Sequence, residues 1–373
     1  MIKIAFVIDT IESPTAGTEK QLLLLIRNLD RRKFLPYLCV LRSSPWLKET
    51  FKDCPLIDLE FGALRCFRSV MQLLKFVRYL KQERIDIVQT YFVDANKIGV
   101  VAGCLAGVKS VISSRRNQGY WIGLLELLQL RFLNCLTTHF IANSHSTKQW
   151  AMKREGIPGQ KISVILNGIE LEYYDLSRKA KVNLRKEYNT PDCARLVCIV
   201  ANLRPVKGHE IFLRAARIVA DQISSVYFVI IGEGQERKRL ERLASELSLS
   251  KYVFFLGKRE DVADLLLDMD VGVLASHSES FSNALVEYLA CGLPVVVTDV
   301  GGAREAVQGG VNGFVISLDS ASEGLARGIL GALRMNHESV SALNRKIVQE
   351  LFAKESMVAA YQNLYHKLVG DHG

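Results

Sequence analysis

Two carboxylates with seven residues between them frame the stretch Glu279-Ser280-Phe281-Ser282-Asn283-Ala284-Leu285-Val286-Glu287. The apolar run Val271–Ala275 before it reads as a buried strand, and Ser282 or Asn283 makes a good helix N-cap. Gly292 stands where a helix C′ residue belongs and Pro294 lies just beyond, so the helix ends there. Glu279 therefore falls in a loop at the carboxyl edge of a sheet, the usual ligand crevice of a doubly wound domain, and Glu287 about one turn into the helix. The amides between them form a helix N-terminus able to hold a phosphate. An ordinary β-loop-α unit with two solvated glutamates accounts for the same pattern without chemistry. A second stretch, Ala201-Asn202-Leu203-Arg204-Pro205-Val206-Lys207-Gly208-His209, offers cations. A βα turn presenting Arg204 and Lys207 beside a glycine suits a diphosphate, because two fixed cations offset the charge of a leaving nucleotide. The plain alternative is a surface Arg and Lys near a turn.

The elements that must position these groups alternate along the chain. Short apolar runs suggest strands at Ile2–Ile8, Phe34–Leu41, Ile85–Gln89, Ser110–Ser113, Phe140–Asn143 and Ile162–Leu166 in the first half. The second half offers Leu196–Ala201, Val226–Gly232, Val253–Gly257, Val271–Ala275 and Val295–Thr298. Unbroken Val/Ile runs are what a parallel sheet covered on both faces requires. Amphipathic stretches such as Thr18–Leu29, Val70–Gln82, His209–Asp221 and Gln235–Leu247 fall between them. A βα order repeated in two halves gives an α/β chain of two Rossmann-like, doubly wound domains. Residues 1–168 form the first and 190–345 the second, with a polar boundary at Asn167–Thr190 and a terminal helix from about Ser339 to Val369.

Composition bounds the rest. The 373 residues are 49% hydrophobic, 23% charged and 8% aromatic, with 26 Gly and 8 Pro, which excludes disorder, collagen-like repeats and low complexity. The net charge of +9 is uneven: residues 1–168 carry 24 Lys and Arg against 13 Asp and Glu, whereas residues 169–373 carry 24 against 26. A basic half suits nucleic acid, an anionic membrane or an acidic substrate. No nucleic-acid recognition module accompanies it. The eight cysteines include no Cys-x-x-Cys, so reduced thiols of a cytosolic protein are expected rather than a metal site or disulfides. The N-terminus runs straight into a strand, not a signal peptide. The longest uncharged apolar run, Ile98–Val108, is too short to span a bilayer of about 30 Å.

The Glu279-x7-Glu287 spacing, with Phe281 and Asn283 inside it and Gly292-Leu293-Pro294-Val295-Val296 after it, resembles the donor-site motif of retaining GT-B glycosyltransferases of family 4 (glycosyl transferases group 1, cell-surface polysaccharide type). The resemblance implies two domains facing a cleft, with a final segment, 346–373, returning to the first domain. It implies sugar transfer with retention from a nucleotide diphosphate sugar, UDP before GDP, to a glycan or lipid-linked acceptor. No metal or cofactor is implied. Glu279 would contact sugar hydroxyls, Glu287 the ribose, and the backbone of Ser280, Phe281, Ser282 and Asn283 the sugar and phosphate. Ser280 departs from a position often held by Gly. The cationic loop is similar to the family's Gly-Arg-Leu-x-x-x-Lys-Gly: Lys207 and Gly208 match, Asn202 holds the Arg position, and Arg204 comes two residues later. The diphosphate role falls on Lys207 and Arg204, and the departing phosphate oxygen would take the acceptor proton in front-face attack. Thr15-Ala16-Gly17-Thr18-Glu19-Lys20 resembles the family's Gly-Gly-x-Glu loop, implying that the Gly17 backbone approaches the donor diphosphate. Lys258 follows the Phe255-Leu256-Gly257 strand at the position near the base. Gly232-Glu233-Gly234 lacks the third glycine of a dinucleotide fingerprint, since Arg237 stands there.

The acceptor side departs more. Where the family often carries a His, the chain reads Gln89-Thr90-Tyr91-Phe92-Val93-Asp94-Ala95-Asn96. Arg115, Arg116 and Asn117 after the next strand are the candidates to orient an acceptor; a basic loop in water is the alternative. Leu64–Arg84 sets Arg65, Arg68, Lys75, Arg78 and Lys81 opposite Phe67, Val70, Met71, Leu74 and Val77, while Trp121–Leu133 is apolar almost all round with Tyr120 and Trp121 at its start. These helices suit peripheral contact with an anionic membrane at its inner face, or equally a solvated crossover helix and a buried one. A nucleotide-sugar epimerase of the same architecture, an NAD enzyme and a non-catalytic nucleotide-sugar-binding protein are the rival functions.

Overall fold

The computed structural model describes residues 1–15, 17–62, 67–117, 119, 123–174 and 183–370. Leu64, Arg65, Tyr120 and Trp121 of the two amphipathic stretches, and Ala16 of the Gly17 loop, lie outside them. Contacts divide the chain into two units. Unit 1 is Met1–Gly168 with the helix Lys354–Gly370, and unit 2 is Ile169–Ala353.

Unit 1 contains β1 (Ile2–Ile8), β2 (Phe34–Val40), β3 (Leu56–Asp58), β4 (Ile87–Thr90), β5 (Ser110–Arg115), β6 (His139–Ala142) and β7 (Ile162–Val164). They form one parallel sheet in the order β3-β2-β1-β4-β5-β6-β7. The helices Gly17–Asn28 and Lys354–Gly370 cover one face, where Leu22, Leu25, Tyr361 and Tyr365 pack on Ile4, Phe6 and Phe34. The helices Phe67–Gln82, Val93–Ala106 and Leu124–Leu136 cover the other, through Phe76, Leu80, Ala95, Ala102, Val100 and Leu133.

Unit 2 contains β8 (Arg195–Val200), β9 (Val226–Ile231), β10 (Val253–Gly257), β11 (Val271–Leu274), β12 (Val295–Thr298) and β13 (Gly313–Ile316), all parallel in the order β10-β9-β8-β11-β12-β13. Both sheets reverse chain order once, between β1 and β4 and between β8 and β11. Open α/β sheets bind ligands beyond the strand ends at such switch points.

Three expectations change. β3 and β13 are strands the sequence reading does not include: both are short sheet edges, only partly buried, β3 a run of three that ends on Asp58 and β13 a Gly-Phe-Val-Ile run. The terminal helix is two helices, His337–Ile347 and Lys354–Gly370. Between them Val348–Phe352 forms a π-turn and Ala353 is extended (φ −60°, ψ 139°), because this stretch pairs with Ile169, whose N–H donates to Phe352 O at 2.8 Å. Residues 169–174 and 346–353, expected in the boundary and the returning segment, accordingly group with unit 2.

Candidate functional site

The strand ends of β8 and β11 are drawn together by glycine. Gly208 has φ +65°, and a Cβ there would lie 1.9 Å from Ala275 O, so the β8 loop can touch the end of β11 only as glycine. His277 N donates to Val206 O at 2.8 Å, fastening the two loops. Lys207, at the end of the short turn Pro205–Lys207, is thereby carried onto the loop that follows β11. Its ammonium makes a close ion pair with the Glu279 carboxylate, which also accepts from Ser276 Oγ at 3.1 Å. Thr298 Oγ1 holds Ser276 O at 2.6 Å. The pair is mostly buried, with Lys207 26% and Glu279 15% exposed, so its two charges interact more strongly than a surface pair's.

The helix Asn283–Ala290 starts directly behind this loop, with Ser282 as N-cap making no side-chain cap bond. Its end is a Schellman turn: Gly292 (φ +73°) donates to Leu289 O and Leu293 to Tyr288 O. Tyr288 fixes its position on the sheet, accepting from Val200 N at 2.7 Å and donating to Val273 O at 3.2 Å. That ring fits because residue 272 of β11 is glycine; a Cβ there would lie 2.4 Å from it. Glu287 is buried one turn into the helix and faces the Tyr174 hydroxyl. Burial first, then the Glu287 carboxylate, push the Tyr174 phenol far above its ordinary range, which keeps it a hydrogen-bond donor. Phe281 stacks on Phe352 with ring centroids 5.2 Å apart. A small, largely apolar recess lined by Leu274, Glu279, Phe281, Leu285, Val297 and Thr298 lies beside them. Gly301 lies against the Glu279 loop: a Cβ there would meet Glu279 O at 2.4 Å, and Gly302 N donates to Ser280 O at 2.8 Å.

The structure thus brings Lys207, Glu279, Ser280, Phe281, Ser282, Asn283 and Glu287 to one switch point. Asn202 and Arg204 are exposed on the same β8 loop, while Lys258 stands at the end of β10, two strands from β8. Gly232 and Gly234 serve packing, since Cβ atoms there would strike Ala201 O and Leu203 O at 2.0 and 2.5 Å. Tyr174 escapes sequence reasoning, because neither its type nor its spacing marks it. His209 was visible only as a residue of the loop. It is 2% exposed with both ring nitrogens unpartnered, and burial followed by Lys207 push its imidazole down to about 4.

In unit 1, Gly17 opens its helix. Arg115, the last residue of β5, does not face solvent. Its guanidinium donates to Glu155 (2.8–3.1 Å), Asn134 Oδ1 (2.8 Å) and Ser113 Oγ, and lies over the Phe140 ring at 5.2 Å. This bonding, all of it within the protein, replaces the expected ligand-facing orientation. Arg116 donates to Asn167 Oδ1, and Asn117 caps Gly119 N at 3.3 Å; both are partly exposed at the carboxyl edge. Gln89 and Tyr91, where the family His was sought, are buried. Gln89 donates to Tyr91 Oη (2.6 Å) and accepts from Tyr365 Oη (2.6 Å), tying the last helix to β4.

Residues 181–348 match the family described as Glycosyl transferases group 1, and residues 15–173 match Glycosyltransferase Family 4. The chain belongs to the GT-B glycosyltransferases of family 4. Among curated relatives, N-acetyl-alpha-D-glucosaminyl L-malate synthase of Bacillus anthracis is 30% identical over 217 residues, 57% of this chain and 56% of that protein. UDP-Gal:alpha-D-GlcNAc-diphosphoundecaprenol alpha-1,3-galactosyltransferase of Escherichia coli is 28% identical over 271 residues, covering 68% and 67%. The chain therefore spans a little over half to two thirds of the length of these relatives. Anabaena HepE, solved in complex with UDP, shares the GT-B fold at a TM-score of 0.85 and 22% identity, with 98% of this chain and 100% of that one covered.

Proposed function

We propose that this family member transfers a sugar, with retention, from a UDP-sugar to a glycan or lipid-linked acceptor in the synthesis of cell-surface polysaccharide or lipopolysaccharide. The observation that carries the reading is the Lys207–Glu279 pair over the β8 and β11 strand ends, with Glu287 buried one turn along the adjoining helix. The Escherichia coli relative, named for UDP-Gal and a diphosphoundecaprenol acceptor, supports donor and acceptor class; HepE's complex with UDP supports the base.

Without donor, the Lys207 ammonium is neutralised by Glu279. An incoming diphosphate competes for that ammonium and frees the carboxylate for the sugar hydroxyls. Lys207, with Arg204 and Asn202 on the same loop and the amides of Ser280 to Asn283, then stabilises charge growing on the diphosphate as the bond from the anomeric carbon to the phosphate oxygen breaks. The acceptor oxygen bonds the anomeric carbon on the same face, and its proton passes to the departing phosphate oxygen. This route balances without a metal or an enzyme nucleophile. Glu287 holds the ribose, and Lys258 lies toward the base. In unit 1, Gly17, Arg116 and Asn117 are the ligand-facing residues. Unit 1 meets an anionic membrane at its inner face, where a lipid-linked acceptor would be presented.

Calorimetry with UDP, GDP and NAD tests the site. UDP should bind wild type, and Glu287→Ala should weaken it at least about tenfold by removing two ribose hydrogen bonds. Lys207→Ala should lower turnover about 10²–10³-fold, the usual cost of one donor to a developing oxyanion. NAD binding instead, or no nucleotide binding, overturns the reading; nucleotide binding with no transfer to any glycan acceptor would favour a non-catalytic sugar-nucleotide-binding protein.

A further inference from the structure

The helices Phe67–Gln82 and Leu124–Leu136 each carry two apolar stripes. One is spent on the core: Phe76 and Leu80 in the first helix, Leu127, Leu130 and Leu133 in the second, are all buried. The other faces water. Val70, Met71 and Leu74 are exposed on the first helix, and Leu125 (77% exposed), Leu128 and Phe132 (67%) form an i, i+3, i+7 row on the second. A crossover helix with a solvated outer face carries polar residues there. The helix Val93–Ala106 packs between these two and adds exposed Leu105. Seven of the twelve exposed large hydrophobics among the described residues thus lie on three adjoining helices, which is clustering rather than the ordinary scatter of single exposed side chains.

The charge around these stripes is one-sided. Residues 67–82 contain no Asp or Glu, and Arg68, Lys75, Arg78 and Lys81 are all exposed. Among the described residues none of these four has an ion-pair partner. On the second helix, Glu126 turns back to its own N-terminus and accepts from Gly123 N at 3.3 Å, and Arg131 donates to Arg154 O.

We propose that this three-helix outer face of unit 1 docks on an anionic lipid bilayer, its cations against headgroup phosphates and its leucine, methionine and phenylalanine side chains in the acyl boundary. This deepens the membrane contact proposed above and rests on that reading, but not on the donor chemistry of unit 2. A second copy of the chain is the weaker occupant, because a two-fold contact through this face would set the same unpaired cations against one another. A bilayer satisfies both features at once: amphipathic surfaces seat their apolar side about 5–10 Å into the headgroup–acyl boundary while basic residues meet the phosphates.

Flotation of the full chain with vesicles of phosphatidylglycerol mixed with phosphatidylcholine, and of phosphatidylcholine alone, tests the proposal. Binding to the anionic vesicles that weakens with added salt is expected. Lys75→Gln/Arg78→Gln/Lys81→Gln should reduce the partition about a hundredfold, at about one kcal/mol for each cation lost. Leu128→Ser/Phe132→Ser should reduce it more than about tenfold through lost apolar burial. All five positions are exposed, so circular dichroism and UDP affinity should match wild type in both variants. Equal partition to both vesicle types, indifference to both variants, or a wild-type dimer in ultracentrifugation that Phe132→Ser abolishes would each overturn it. Vesicle binding as expected without UDP binding would instead sink the donor-site reading and leave this one standing.

Discussion

Two sheets wound in the same order carry their charge in opposite ways. In unit 2 many cations of the outer helices are paired, although Lys238 and Arg242 are exposed without an ion pair among the described residues. Arg237 pairs with Glu233 and Glu241, Arg239 with Glu236 and Glu210, and Arg217 with Asp221, while the apolar residues of those helices face the core. In unit 1 the helix Phe67–Gln82 has four exposed cations without an ion pair among the described residues, and three apolar side chains in water. The strand ends reverse the contrast. Unit 2 keeps a mostly buried Lys207–Glu279 pair after β8 at its switch point, whereas unit 1 seals Arg115, at the end of β5, into a closed network. Topology supplies the crevice in both halves; what stands on the strand ends and outer helices decides the use.

The largest effect expected from this contrast is at Arg115. Its partner Glu155 has a side chain only 1% exposed, so Arg115→Ala would strand a buried carboxylate. Removing one member of a buried pair costs about 3–5 kcal/mol, because the other loses its compensation. Urea unfolding followed by tryptophan fluorescence reads this selectively, since Trp46, Trp121 and Trp150 all lie within residues 1–168. Nucleotide affinity should stay at the wild-type value. If Arg115→Ala unfolds like wild type yet abolishes transfer, Arg115 faces a ligand and the contrast with Lys207 fails.

Acid should separate the units next. Burial pushes His209 in unit 2 and His139 in unit 1 down to about 4, with neighbouring lysines adding to the effect. A folded-state value below the unfolded 6.5 means stability that is full above pH 6.5 and is lost as pH falls toward 4. For His209 the loss is about 3 kcal/mol across that window. Asp9 in unit 1 runs the other way. Burial pushes its carboxyl up to about 6, so its contribution is full below pH 3.8 and lost as pH rises through 6. Unit 1 therefore carries opposing slopes between pH 4 and 6; in unit 2 burial raises the Asp268 carboxyl as well, a smaller shift against the His209 loss, so unit 2 keeps the steeper acid loss. Hydrogen exchange of the two units at neutral pH and near pH 4.5 would show it. His209→Phe should flatten the acid limb of unit 2 alone, and an unchanged limb would mean that the buried imidazole is hydrated and already able to take a proton.

These histidines mark where sequence reading stops. Eleven strands were legible because buried parallel strands must be continuous Val/Ile runs; β3 is a run of three that ends on Asp58, while β13, Gly-Phe-Val-Ile, obeys the same rule and was legible in principle. The candidate site was legible where local rules fix it: an N-cap at Ser282, a Schellman glycine at 292, a carboxylate one turn along. Partnership across the fold was not. Nothing at Arg115 announces Glu155, forty positions on, and nothing at Glu287 announces Tyr174. The exposed row Leu125, Leu128 and Phe132 was equally hidden, since an all-round apolar helix reads the same whether its second face meets protein or water.

The smallest expected effect lies on the helix Arg237–Glu246. Arg239 is about half exposed, and both of its carboxylate partners, Glu236 and Glu210, also reach solvent. Water and salt screen such pairs, and holding two long side chains in one geometry costs entropy, so Arg239→Ala should change unfolding free energy by less than about 0.5 kcal/mol. The four unpaired cations of the helix Phe67–Gln82 should be equally silent in unfolding. Chemical denaturation of Arg239→Ala and of the Lys75→Gln/Arg78→Gln/Lys81→Gln variant, read by circular dichroism, puts both helices on one scale. A loss above about 1.5 kcal/mol at Arg239 alone would make the ion pairs of unit 2 structural rather than neutralising. The lack of pairing on unit 1 would then reflect a helix that needs no such support, and vesicle binding would have to stand on its own evidence.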